Sequence, residues 1–282
     1  MQLEKSFLAI AKQFKAVFLD SYGVLKNYKG LIDGAQATID FLREQNIIVR
    51  ILTNDASRSQ QQQKESFERL GLTGIETHEI VTSGMMAKNF LQQKILSGKI
   101  AYLGTENSAH YILQSGLEHI AVSDIDLRNL QDISAFVFLD DEGFDWNVDI
   151  NKTVNLLRHK NIPVIVANSD KLYPVSKNDV AIAAGGIAKL VESMLNKKFL
   201  HFGKPDTQMF MYAYDDINHQ RSFSKNEILM VGDNLNTDIL GGNKFGVKTT
   251  LVLSGNTSAE DVELQINSSG IIPDFICPSI MC

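Results

Sequence analysis

The stretch Ala16-Val17-Phe18-Leu19-Asp20-Ser21-Tyr22-Gly23-Val24-Leu25 decides the fold. Four apolar residues ending in an acid and then a glycine turn read as a buried parallel strand that delivers a carboxylate to its C-terminal edge. In open α/β sheets that edge is where ligands bind. A carboxylate there can act as a covalent nucleophile, as in enzymes that pass through an aspartyl-phosphate. Two residues on, where a second acid would serve such chemistry, stands Tyr22.

Outward from this strand the chain alternates strand and helix. Ala35 to Gln45 places Ile39, Phe41 and Leu42 at helical spacing, and Ile47 to Leu52 is a β-branched run ending at Thr53-Asn54. Ser57 to Leu70 reads as a helix closed by Gly71. The middle repeats the pattern, with strands expected at Lys99–Gly104, Ala135–Asp140 and Pro163–Asn168 and a helix over Val154–Lys160. Phe199–Pro205 and Glu227–Asp233 give two further strand-to-loop transitions, and Val247–Leu253 closes the series. This is the grammar of a doubly wound parallel sheet with helices on both faces, a Rossmann-like α/β fold. The strands are too many for one compact sheet. The expected arrangement is therefore discontinuous: a Rossmann-like core from residues 1–82 and 199–282, and an inserted α/β cap domain over 83–198.

A chain of 282 residues accommodates such a pair of domains. Hydrophobic residues at 44% and charged residues at 21% describe an ordinary globular composition rather than a disordered one. The net charge of −6 argues against a nucleic-acid partner, though not against a small phosphate ester held by local amides and one or two cations. Cys277 and Cys282, both near the C-terminus, offer neither a disulfide framework nor metal spacing, and the simplest setting is a reducing, cytoplasmic one. The N-terminal stretch, with Glu4, Lys5, Lys12 and Lys15, lacks the apolar core of a signal peptide, and no run reaches the length of a membrane span.

Four loops follow four expected strands, and each supplies a different chemical type. Asp20 is a carboxylate, Thr53-Asn54 a hydroxyl and an amide, Lys204 a cation between Gly203 and Pro205, and Asp233 with Asp238 a pair of acids after a glycine. Singly, each is ordinary: strand-end acids cap helices, Thr-Asn caps as well, and Gly-Lys-Pro and Gly-Asp-Asn are turn chemistry. Together, at one sheet edge, they comprise a nucleophile, donors for phosphoryl oxygens, a charge-neutralising ammonium and a hard-oxygen site for Mg²⁺. Phosphoryl transfer asks for that set, because positioning and charge neutralisation do most of its catalysis.

These segments resemble the four motifs of the haloacid dehalogenase superfamily, over essentially the whole chain. The branch most similar is type IIA, which includes sugar-phosphate, nucleotide, para-nitrophenyl-phosphate and pyridoxal-phosphate phosphatases. Leu52 to Ser59 resembles its second motif and Val231 to Ile239 its fourth; Leu253 to Ser258 resembles the loop that follows. Val81-Thr82-Ser83 resembles the way into the cap, and Asn168-Ser169-Asp170 an Asn-x-Asp strand end within it. The resemblance implies that Asp20 attacks phosphorus and that Thr53, with the Asn54 amide, holds phosphoryl oxygens. Lys204 would neutralise charge. Mg²⁺ would be bound by Asp20, the Tyr22 carbonyl and Asp233, with Asp238 nearby. The cap would close over a small phosphorylated metabolite, Asn168 and Asp170 facing it, and two chains would pair through their caps to form a homodimer.

Tyr22 departs from the Asp-x-Asp of the phosphatases, whose second acid protonates the leaving group and later activates water. A phenol, with an ordinary pKa of about 10, is a poor base at neutral pH. Three readings follow. The first is a Mg²⁺-dependent phosphohydrolase that is slow or selective for good leaving groups such as aryl or acyl phosphates. The second is a phospho-ligand-binding protein with impaired turnover. The third is a metal-independent dehalogenase, since dehalogenases of the superfamily carry Asp-x-Tyr-Gly; the paired Asp233 and Asp238 tell against it. A packing aromatic with no direct role is the plainest account of Tyr22.

Elsewhere, none of the six histidines pairs at metal-ligand spacing. Gly185-Gly186 precedes an expected helix over Ile187–Leu195 and reads as a loop-to-helix turn more readily than as a phosphate cradle. Asp140, Asp141, Glu142 and Asp145 read as a solvated patch beside Trp146, and Tyr212 and Tyr214 as core-facing residues of a helix with Met209 and Phe210.

Overall fold

The computed structural model describes residues 6–176 and 179–281. The expectations that fall on the first five residues and on Cys282 lie outside them. The chain divides into two compact units. The first takes the chain up to Thr53, Gln60–Val81 and the chain from Lys204 onward; the second takes Asn54–Ser59 and Thr82–Gly203.

The first unit is built on a six-stranded sheet. Its order is Phe275–Cys277, Lys248–Val252, Ile228–Gly232, Ala16–Leu19, Ile48–Thr53, Ile80–Thr82. The first five of these run parallel. Ala16–Leu19 is buried on both faces, which is why it is apolar without alternation. Side chains nevertheless point alternately to the two faces. Val17, Leu19, Val49, Ile51, Leu229 and Val231 pack against helices Phe7–Ala11, Ala35–Glu44 and Gln60–Arg69. Arg50, one residue out of phase, is buried and bonds Asp216 of helix Thr207–Gln220 through Nε at 2.7 Å. The sheet is therefore wound on both sides. Ile228–Gly232, Lys248–Val252 and Phe275–Cys277 lie to one side of Ala16–Leu19, and Ile48–Thr53 and Ile80–Thr82 to the other. The C-terminal end of Ala16–Leu19 is thus the topological switch point, where ligands bind in such sheets.

The second unit has its own parallel sheet, in the order Leu200–His201, Val164–Val166, Ile133–Phe138, Lys99–Leu103, Glu118–Ala121. Phe136, Phe138, Leu156, Val164 and Ile187 form its core with helices Trp146–His159 and Ala184–Leu195. A separate hairpin pairs Leu172–Pro174 with Val180–Ile182.

Several elements differ from the sequence reading. Phe199–Pro205 does not lead a strand of the first sheet: Leu200–His201 pairs with Ile165 and Val166, so residues 199–203 belong to the second unit. Asn54–Ser59 joins that unit too. The helix expected from Ser57 begins at Gln60, because the Asp55 carboxylate accepts from the Ser57 amide at 2.8 Å and hydroxyl at 2.6 Å, holding a turn. The helix expected over Val154–Lys160 starts at Trp146, where Asp145 accepts from the amides of Asn147 and Val148. Val247–Leu253 does not close the series, since Phe275–Cys277 adds an edge strand; three residues are too few for periodicity to mark.

Candidate active site

Parallel register brings two of the expected site residues side by side. Leu19 pairs with Val231, and the Asp20 amide donates to the Val231 carbonyl at 2.9 Å, so Asp20 and Asp233 leave the sheet at adjacent positions. Leu19 also pairs with Ile51, which places Thr53, the buried last residue of its strand, on the opposite flank. Asp238 follows Asp233 by five residues, in a single turn of π-helix spanning Leu235–Ile239. Such wide turns recur at functional sites.

Each position depends on glycine. Gly23 turns with φ +79°, and a Cβ there would fall 2.0 Å from Asp233 Oδ2; one at Gly255 would fall 1.9 Å from the same atom. Both loops therefore close on Asp233 as only glycine allows. The Ser254 hydroxyl fastens them, donating to the Gly23 carbonyl at 2.7 Å. Asn256 then donates to Asp233 Oδ2 twice, from its amide at 2.6 Å and from Nδ2 at 2.8 Å.

Lys204 is buried among the acids. Its Nζ lies 2.6 Å from Asp20 Oδ1 and 2.7 Å from Asp238 Oδ1. Asp20 Oδ1 also accepts from the Ser21 amide at 2.7 Å. One ligand atom from each of Asp20, Asp233 and Asp238 can be drawn within 4.8 Å of the others, the one such group of three among the described residues. A single ammonium faces three carboxylates. Burial, then the Asp238 charge, pushes Asp20 well above the usual carboxylate range despite Lys204. The same causes push Asp233 up to about 7. Burial opposes the charge on Lys204, yet Asp20 and Asp238 outweigh it and hold the ammonium above the ordinary lysine value. Asp233 Oδ1 is buried without a hydrogen-bond partner. Buried polar atoms are rarely left so. Excess negative charge, hard oxygen donors and an orphaned carboxylate oxygen fit a divalent cation such as Mg²⁺.

Tyr22 is half-buried in the same unit. Burial raises its phenol above the ordinary value, the Tyr28 backbone amide opposing and the Asp233 charge adding. It is an even weaker acid than free tyrosine, and less of it is ionised at neutral pH.

The remaining expected residues gather in the second unit. Asn54 Nδ2 donates to Asp170 Oδ1 at 2.9 Å, and Asn168 Oδ1 accepts from the Asp170 amide at 2.9 Å. Among the other residues singled out, Gly185 and Gly186 lie inside the first turn of Ala184–Leu195, not before it. A Cβ at Gly185 would meet the Ser169 backbone at 2.5 Å, so this glycine serves close packing. The acidic patch is bonded rather than simply solvated: Asp140 accepts from the Thr105 hydroxyl, Asp141 from the Tyr173 hydroxyl, and Asp145 caps its helix. Tyr212 is exposed, while the Tyr214 hydroxyl donates to the Phe223 carbonyl. Asn256 is the contributor that sequence reasoning left without a role; its signal was the Ser254-Gly255-Asn256 loop itself.

Comparison with known proteins places this architecture. Residues 17–118 match the family model of haloacid dehalogenase-like hydrolases, and residues 201–281 match a second, HAD-hydrolase-like model. A possible sugar phosphatase of the HAD superfamily from Cytophaga hutchinsonii, solved as a crystal structure, is 51% identical. The match covers 100% of this chain and 99% of that one, with a TM-score of 0.96. Phosphoglycolate phosphatase 1A of Arabidopsis thaliana is 29% identical over 93% of this chain and 74% of its own length. A glycerol phosphate phosphatase from Mycobacterium tuberculosis, solved in complex with magnesium, shares the fold. It is 22% identical, with a TM-score of 0.75 over 98% of this chain and 76% of that one.

Proposed function

This chain belongs to the haloacid dehalogenase superfamily of hydrolases, and we propose that it is a Mg²⁺-dependent phosphatase of small phosphate esters. The observation that carries the reading is the buried cluster of Asp20, Asp233 and Asp238 around Lys204. The phosphatase names borne by its relatives agree with it.

Asp20 Oδ1 is held by Lys204 and the Ser21 amide, which leaves Oδ2 to attack phosphorus. The bond from phosphorus to the leaving oxygen breaks, its electron pair departing with that oxygen, and Asp20 carries the phosphoryl group. Water then attacks phosphorus, Asp20 is regenerated, inorganic phosphate leaves and a proton passes to solvent. Thr53 and the Asn54 amide hold phosphoryl oxygens, and Lys204 balances the charge on Asp20. Asp20, Asp233, Asp238 and the Tyr22 carbonyl would hold Mg²⁺, which supplies charge neutralisation at the phosphoryl oxygens. No step needs a proton from Tyr22 if the substrate is an aryl or acyl phosphate, whose leaving group departs as a stable aryloxide or carboxylate. Alkyl phosphates would turn over slowly.

One experiment separates the readings: hydrolysis of para-nitrophenyl phosphate with Mg²⁺ and with EDTA. Metal-dependent turnover lost in Asp20→Asn supports the phosphatase. Tight phosphate binding without turnover would favour a phospho-ligand binder, the reading that Tyr22 keeps alive. Turnover of a haloacid indifferent to EDTA would favour the dehalogenase, which leaves the three-carboxylate cluster unexplained.

A further inference from the structure

Four peptide links join the two units: Thr53–Asn54, Ser59–Gln60, Val81–Thr82 and Gly203–Lys204. Three of them meet at one residue. The Asn54 carbonyl accepts from the Ser83 hydroxyl at 2.7 Å, one residue beyond the third link. Asn54 Nδ2 donates to Asp170 Oδ1 at 2.9 Å. Asn54 Oδ1 lies against Gly203, the residue before the last link, where φ is +102° and a Cβ would come within 2.6 Å of it. Asp170 is in turn anchored to the same stretch, because the adjoining Ser169 hydroxyl donates to the Phe202 carbonyl at 2.5 Å. Asn54 is 2% exposed.

The residues just across the first and last links are Thr53 and Lys204. We infer that the Asn54 side chain is a positioning group: by tying Asp170 and Gly203 to its own backbone, it sets where Thr53 and Lys204 emerge. The inference rests on the phosphatase reading for its catalytic meaning and assigns the Asn54 side chain no contact with substrate. Its amide group holds two chain segments in one register, and a displacement of about 1 Å at a catalytic group is enough to lower a rate about a hundredfold. Nothing about Thr-Asn as a dipeptide announces this, since Asp170 and Gly203 are distant in sequence.

The test is a reversed pair. Asn54→Asp sets two carboxylates against each other, whereas Asn54→Asp with Asp170→Asn restores one donor and one acceptor with their places exchanged. Turnover of para-nitrophenyl phosphate with Mg²⁺ should fall about tenfold or more in kcat in the single variant and recover to within about threefold in the double one, the size of coupling expected between bonded neighbours. Backbone amide exchange at Thr53 and Lys204 should quicken in the single variant and slow again in the double. Unchanged kcat in Asn54→Asp, or no recovery in the pair despite a restored melting temperature, would overturn the inference. If Asn54→Asp does not fold, Asp170→Ala removes the partner instead and should show the same loss and the same faster exchange. An inert wild-type protein would sink the phosphatase reading alone: amide exchange still decides, quickening supporting the positioning role and unchanged rates refuting it.

Discussion

The tetrapeptide Val-Phe-Leu-Asp occurs twice, as Val17–Asp20 in the first unit and Val137–Asp140 in the second. Both copies end an interior strand of a parallel sheet. Both acids make the same local bond, Oδ1 accepting from the next residue's amide, Ser21 at 2.7 Å and Asp141 at 2.9 Å. There the likeness stops. Asp20 meets a buried ammonium and two further acids, one of them with an orphaned oxygen. Asp140 meets the Thr105 hydroxyl at 2.9 Å, and its neighbour Asp141 is bonded by Tyr173 at 3.0 Å. Burial raises Asp140 as well, but neutral donors answer it. A strand-end carboxylate becomes reactive through what distant segments place beside it.

The sharpest way to break this comparison is to neutralise each acid in turn. Asp20→Asn should lower kcat on para-nitrophenyl phosphate by about 10⁴-fold or more, as expected when a nucleophile is lost. Asp140→Asn should leave kcat within about threefold; equal losses would make the two sites one. Next in size, Tyr22→Asp should restore a general acid and raise turnover of an alkyl phosphate about a hundredfold, within the usual range for such help, while para-nitrophenyl phosphate changes little. No gain would assign Tyr22 to other chemistry.

Charge separates the regions in stability too. Asp233 titrates near 7 when folded without metal, against about 3.9 for a free aspartate. Between those values the folded state holds a proton that the unfolded chain has released, so stability falls as pH rises through this window and levels off above it. The melting temperature in EDTA should therefore drop from pH 5 to pH 8. At pH 8, Mg²⁺ at about a hundred times its dissociation constant should restore about 5 °C. Asp233→Asn should flatten both effects and Asp140→Asn should not; a metal-insensitive melting curve for the wild type would remove the cation site. The smallest effect belongs to the second copy: Thr105→Val, which deletes the donor to Asp140, should cost about 1 kcal/mol in denaturant unfolding and leave the Mg²⁺ response intact.

No helix among the described residues is long and apolar enough to cross a membrane. What was legible without coordinates follows from local physics. The Ala16–Leu19 strand, the helix at Ala35, and the acids and lysine beside turn glycines announce themselves because periodicity and turn chemistry act over a few residues. Short or polar elements did not. The strands Phe275–Cys277 and Glu118–Ala121 and the hairpin beginning at Leu172 carry too little pattern. The assignment of Phe199–Pro205 failed for another reason. Its apolar residues suit either sheet, and only pairing with Ile165 and Val166 decides which one.

The chain by itself therefore determined an α/β architecture and the set of reactive types, because strand burial and turn formation are properties of contiguous residues. The tetrapeptide alone does not separate Asp20 from Asp140; the residues that follow each, Ser21-Tyr22-Gly23 and Asp141-Glu142-Gly143, were needed to tell them apart. Tertiary structure decided that Lys204, at the end of a segment whose strand belongs to the other sheet, stands between Asp20 and Asp238. It also decided that Asn54 bonds Asp170 across more than a hundred residues. Charge and hydrogen-bond energies depend on separation in space and on burial, and neither is a function of separation along the chain.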